Sequence, residues 1–236
     1  MRNIPALTWR EINATFFSPL AYVVLTLYLF FSGFFFYLIL ARSHQASMVG
    51  LISILTFLFL VSIPLLTMRL ISEEYRSGTI ESLMTAPVTD GEVILGKYFG
   101  AVIFFLFMLA PTLLYIVILK RVGDPDMGPI LASYLGLILM GAMFIALGLF
   151  CSTLTRNQIV AGVLGIVSLL IIWVLGAVGE GMNGDLAPIV KYVGTQQHMQ
   201  SFSSGRIAFR DCFYFVSFTV FWLFLSVRVL ESKRWR

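Results

Sequence analysis

Charge is what this sequence has least of. Only 12% of its 236 residues are Asp, Glu, Lys or Arg, about half the roughly 25% usual in a soluble domain. A water-filled ionic interior and a conventional soluble surface are both excluded at that composition. Cysteine is nearly absent. Cys151 and Cys212 lie in different apolar stretches, with no CxxC spacing and no nearby histidine, and read as small buried hydrophobes. His44 and His198 are the only histidines and fall in expected loops without a second ligand, so no metal site is expected. No HExxH or GxSxG is present, and Ser203-Ser204-Gly205 lacks the glycine of a rhomboid-type serine site. No catalytic residue is expected, and an intramembrane enzyme is disfavoured.

What is present is hydrocarbon: 59% hydrophobic residues, 22 of the 236 residues being Phe. The apolar residues come in blocks with the charges between them, the pattern of a polytopic membrane protein. Six stretches are long enough to span, at 20–40, 49–70, 98–119, 130–151, 159–179 and 209–230. Spans of this length are helices, because lipid offers no partner to an open strand. The expected fold is therefore all-α and integral to the membrane, with a single transmembrane domain over 1–236. The sixth stretch spans if Asp211 and Arg228 snorkel to opposite interfaces. No span carries a central acidic or basic residue, which disfavours an ion-coupled transporter or channel and implies energy from elsewhere.

The net charge of +4 does not indicate nucleic acid, because the basic residues sit at the ends of apolar runs. With both termini inside, ten Lys and Arg fall on the inner side and six on the outer, the bias expected of a cytoplasmic membrane protein. About twenty residues, including Arg10 and Glu11, precede the first apolar run, which is too long for a leader; none is expected. Asn3 and Pro5 suit a helix start, and Trp9, Ile12 and Phe16 share one face, as in an amphipathic helix lying along the interface. Pro64 and Pro111 lie inside spans and are expected to kink them. Small pairs such as Ala142/Ala146, Gly148/Ser152 and Ala161/Gly165 allow close helix approach, chiefly within the bundle.

Between the second and third spans lies a charged, glycine-punctuated segment, 72–90. With Glu92 just beyond, it holds five of the twelve acidic residues: Glu73, Glu74, Glu81, Asp90 and Glu92. Such a segment must face water or another protein. Gly78 is placed to close a helix in the left-handed conformation. Ile80, Leu83 and Met84 then form one apolar face of a short helix over 79–86, with Thr79 and Glu81 on its polar side. Pro87 ends it. Thr89 and Glu92 form a capping box opening the next helix. The run Gly91-Glu92-Val93-Ile94-Leu95-Gly96-Lys97 matches G-x-x-x-x-G-K, but Tyr98 stands where a P-loop needs Ser or Thr, and no strand precedes it. Any nucleotide is therefore expected on a separate chain.

The run from Glu73-Glu74 through Arg76-Ser77-Gly78-Thr79-Ile80-Glu81, Leu83-Met84 and Ala86-Pro87-Val88-Thr89 to Leu95-Gly96-Lys97 resembles the signature of ABC-2 type transporter permeases. It is most similar to the small six-span permeases of the gliding-motility and nitrous-oxide-reductase-maturation type. Ser18-Pro19-Leu20, Pro64-Leu65-Leu66-Thr67-Met68-Arg69, Gly148 to Thr155, and Arg228 to Ser232 extend the resemblance over nearly the whole chain. It implies that the segment between spans 2 and 3 is a cytoplasmic coupling helix docking on a separate ABC ATP-binding subunit. The docking residues would be Glu73, Glu74, Arg76, Gly78, Thr79, Glu81, Leu83, Met84 and Pro87. ATP and Mg would sit on that subunit, with no cofactor in this chain. A second permease chain, identical or not, would complete the unit, and a periplasmic or membrane accessory protein is a further expected partner. The function implied is export or movement of a substrate across the cytoplasmic membrane. The alternative is a mechanical subunit that drives a periplasmic partner without solute flux. Related permeases also place short re-entrant helices before the last span, here between 180 and 209.

Overall fold

A computed structural model describes residues 3–43, 48–79, 88–182, 184 and 186–234. Among these residues all regular structure is helical. The order is α1 (Ile4–Phe16), α2 (Pro19–Ser43), α3 (Val49–Thr67), α4 (Ser72–Ser77), α5 (Asp90–Leu109), a 3-10 turn (Ala110–Leu113), α6 (Leu114–Val122), α7 (Met127–Leu154), α8 (Gln158–Gly181), α9 (Ala187–Val193), α10 (Thr195–Ser203) and α11 (Phe209–Arg234). Six of the resulting rods are long and apolar enough to cross a membrane: α2, α3 with α4, α5 through α6, α7, α8 and α11.

The third rod begins at Asp90, eight residues before the expected stretch at 98. The helix start agrees with the capping box expected at Thr89 and Glu92, so the extra residues, Glu92 and Lys97 among them, precede the apolar stretch on the same helix. In the fold both are buried. Glu92 closes the capping box, accepting from the Thr89 amide at 3.2 Å while its own amide donates to the Thr89 hydroxyl at 3.3 Å. Lys97 is held by two carboxylates, described below.

α7 lies at the centre. Of its most apolar window 72% is enclosed by the protein, against 22% for α2 and for α11. Small residues along it admit neighbours. A Cβ at Gly141 would stand 2.1 Å from the Phe105 ring on α5, and one at Gly148 would stand 2.1 Å from the Thr67 hydroxyl on α3. The small-residue spacing therefore serves packing inside the bundle.

Pro64 removes the donor that Leu60 C=O would otherwise receive, and three residues later α3 ends at Thr67. Pro111 converts the third rod to a 3-10 turn. There the Tyr134 hydroxyl of α7 donates to Thr112 C=O at 2.9 Å, tying the turn to α7.

Two expectations are corrected at the end farthest from α4. Asp211 does not snorkel, and His198 does not sit in a loop. His198 lies on α10, and both side chains are fully buried. His198 Nδ1 meets Asp211 Oδ1 at 2.7 Å, and Nε2 meets Tyr192 C=O at 2.9 Å. The Tyr214 ring stacks on the imidazole at 3.9 Å, and the exposed Arg210 approaches Asp211 at 3.6 Å. Burial of the carboxylate is possible because α10 folds back against α11 and brings a hydrogen-bond partner that sequence distance concealed.

Candidate functional site

α4 is a single, short, charged helix at the point where the second rod turns toward the third. Its start is fixed by Ser152, near the end of α7. The Ser152 hydroxyl accepts from the amides of Ile71 at 3.0 Å and Ser72 at 3.1 Å, and donates to Met68 C=O at 3.0 Å. One side chain thus meets three backbone groups where the chain turns. Gly78 closes α4 with φ 72°, the left-handed conformation that its sequence position predicted.

On one flank, Glu74 Oε1 and Glu11 Oε2 both bind Lys97 Nζ, at 2.9 and 3.0 Å. The three side chains are 14%, 12% and 9% exposed, so this is a largely desolvated cluster rather than a surface ion pair. It joins α4, α1 and α5. The approach of α1 requires glycine: a Cβ at Gly96 would lie 2.5 Å from Leu7 Cβ, and one at Gly100 would lie 2.7 Å from Glu11 Cβ. The apparent nucleotide-binding pattern therefore has another cause. Gly96 lets α1 cross α5, and Lys97 binds two carboxylates. Farther along, Phe16 meets Phe104 and Phe107 edge-on at 5.2 and 5.0 Å, while Trp9 stays exposed. Asn3 occupies the N-cap of α1 without making the capping side-chain bond.

On the other flank, the Tyr75 ring faces Lys233 Nζ at 4.8 Å and the Arg156 guanidinium at 5.9 Å. Lys233, near the end of α11, also donates to Thr153 C=O at 2.6 Å, at the end of α7. Arg69, just before α4, donates to the Ser18 hydroxyl and to Ala14 C=O at 3.0 Å. The elbow is therefore gripped by α1, α5, α7 and α11 together.

Among the expected docking residues, Glu73, Arg76, Gly78 and Thr79 are exposed, and Glu74 is turned inward. A cleft of about 210 Å³ opens beside them, with Arg10, Glu73, Ser77 and Thr79 among its lining residues. Glu81, Leu83, Met84 and Pro87, together with the short helix expected over 79–86, fall on or extend into residues 80–87, outside the described residues. Sequence reasoning missed Glu11, Tyr75, Lys97, Ser152 and Lys233. Only Lys97 carried a usable signal, being a basic residue inside an apolar run that had to find a counter-charge. Among the described residues no cluster of His, Cys, Asp and Glu could hold a metal.

Comparison with known proteins gives two concordant findings. The model of the family described as "ABC-2 family transporter protein" matches residues 63–208, more than half of the chain and inclusive of α4 and the elbow. The probable multidrug ABC transporter permease YbhS of Escherichia coli, in strain K12 and in O157:H7, is 33% identical over 94 residues, covering 40% of this chain and 24% of that protein. The match thus spans about a quarter of the length of these curated relatives.

Proposed function

The chain belongs to the ABC-2 transporter family and is a membrane subunit of an ABC transporter; from that premise we propose that its elbow is the handle through which a separate ATP-binding subunit moves the bundle. The observation that carries this is the grip on α4. A push on the exposed face of Glu73, Arg76 and Thr79 is delivered through Glu74 and Lys97 to α1 and α5, through Ser152 to α7, and through Tyr75 and Lys233 to α11. A solvated loop with no partner needs no such anchoring.

In this reading ATP and Mg are held by the partner, two permease chains form the working unit, and closure of the ATPases reshapes a passage between them for export. The elbow and both ends of the chain lie on the cytoplasmic side of the inner membrane. α1 lies along the same interface, with Trp9 at headgroup level.

Glu73 is the clean probe of docking, because it is exposed whereas Glu74 also holds the internal cluster. Glu73→Lys should lower copurification of the ATP-binding subunit about tenfold, the loss of about 1.4 kcal/mol of binding, with unchanged amounts of chain in the membrane. Equal recovery of the ATPase would refute docking at this face.

A further inference from the structure

At the end of the bundle away from the elbow, α9 and α10 are wedged between the spans rather than laid across them. Gly136, more than two turns into α7, sits so close to α10 that a Cβ there would stand 2.8 Å from the Phe202 ring. Gly194, just before α10, rests on Gly176 of α8, more than one turn inside that helix's end, with 2.3 Å between a Cβ built there and Gly176 Cα. α10 is therefore at the depth of the spans' outermost turns.

A crevice of about 280 Å³ opens at this depth between α3, α8 and α10. Its polar lining is Ser53 and Thr56 of α3 with Gln196, Gln200 and Ser203 of α10, and Trp173 of α8 closes one side. Among the described residues no ionisable side chain lines it. The three hydroxyls spend their protons on carbonyls of their own helices, Ser53 to Val49 at 3.3 Å, Thr56 to Ile52 at 2.9 Å and Ser203 to Met199 at 3.0 Å. Each keeps lone pairs to accept from elsewhere. The Gln196 and Gln200 carboxamides have no side-chain partner among the described residues, and each offers two donors and an acceptor. Trp173 is braced by Phe57, ring centroids 6.0 Å apart.

Both carboxamides are exposed into the crevice, where they are free to meet water or a ligand. The described lining offers many hydrogen bonds and no counter-charge. An ionic head group would be left unpaired here. A neutral one rich in hydroxyls would be matched, its apolar ring face against the tryptophan and its tail in the surrounding bilayer. We propose that this crevice binds the uncharged, polyhydroxylated head of an amphipathic molecule, a glycoside on an apolar tail. The proposal refines the transport reading by naming the class of molecule handled, and it rests on the chain being a transporter subunit.

The test uses the full chain in lipid nanodiscs without nucleotide or ATPase, so its failure is separate from failure of docking at Glu73. Saturation-transfer NMR would be recorded with n-octyl β-glucoside below its micellar concentration, with chain-matched n-octylphosphocholine, and with tail-less methyl β-glucoside. Saturable transfer to the glucoside ring protons is expected, with at least tenfold weaker binding of the other two probes. Gln196→Leu and Gln200→Leu, at exposed positions that folding does not depend on, should each weaken glucoside binding at least fivefold. Equal response to the phosphocholine would reduce the effect to membrane partitioning and overturn the proposal, and equal binding of methyl glucoside would remove the amphiphile from it. Unaltered glucoside binding in both leucine variants would remove the crevice.

Discussion

Replacing Lys97 with methionine removes the cation that Glu11 and Glu74 share among the described residues. In the intact protein the two contacts measure 3.0 and 2.9 Å. At an effective dielectric of about 20, each attraction is worth about 5 kcal/mol before desolvation. Desolvation of the three ions returns most of that, so the cluster itself contributes little net stability. Removing one member is different. Two carboxylates bound to the same nitrogen lie within about 6 Å of one another, where like charges repel. Breaking a buried pair in this way costs about 3–5 kcal/mol. For a chain of 236 residues that corresponds to a fall in melting temperature of roughly 10 °C. The assay is thermal unfolding of the purified chain in nanodiscs, paired with limited proteolysis reporting release of α1. The triple variant Lys97→Met, Glu11→Gln, Glu74→Gln should regain stability to within about 1 kcal/mol of the original, because no charge is left unpaired. A Lys97→Met chain that melts with the wild type would refute the reasoning. So would a triple variant no better than the single one.

Three further outcomes are expected. Ser77→Cys, in a chain lacking Cys151 and Cys212, should react with a membrane-impermeant maleimide from the cytoplasmic side only; labelling from outside would invert the topology. Gly148→Val should destabilise the bundle by roughly 1–3 kcal/mol through overpacking against Thr67, and a melting temperature equal to wild type would show that α3 and α7 are not so close. Asp211→Ala should cost about 3–5 kcal/mol and expose α10 to protease, because it strands His198. Asp211→Asn should cost about 1–2 kcal/mol, since an amide can still bond Nδ1, and equal losses in the two variants would argue against the pair.

The six rods were readable because membrane crossing is a local property: twenty apolar residues announce themselves without reference to the rest of the chain. The Thr89–Glu92 capping box and the left-handed turn at Gly78 were readable for the same reason, each being decided within four residues. What stayed hidden depends on partners far along the chain. Lys97 and Glu11 are 86 positions apart, and Ile71 and Ser152 are 81. Asp211 misled because a charge near a span's end is ordinarily drawn to water, and only the fold reveals that α10 supplies a buried base. Within the elbow, the acidic pair Glu73-Glu74 looks uniform in sequence. The helical turn separates its members, one facing outward and one toward Lys97.

The imidazole of His198 has an acceptor at each nitrogen. A peptide carbonyl has no proton to give, so Nε2 must hold one toward Tyr192. At 2.7 Å a second proton must lie between Nδ1 and the Asp211 carboxyl, whichever atom owns it. Imidazolium with carboxylate and neutral ring with carboxylic acid have the same total: zero. A histidine and an aspartate can therefore be carried together into a space without solvent as an electrically silent unit. Without that shared hydrogen two lone pairs would face each other where α9, α10 and α11 meet, and the exposed Arg210, 3.6 Å away, would be left as the carboxylate's counter-charge.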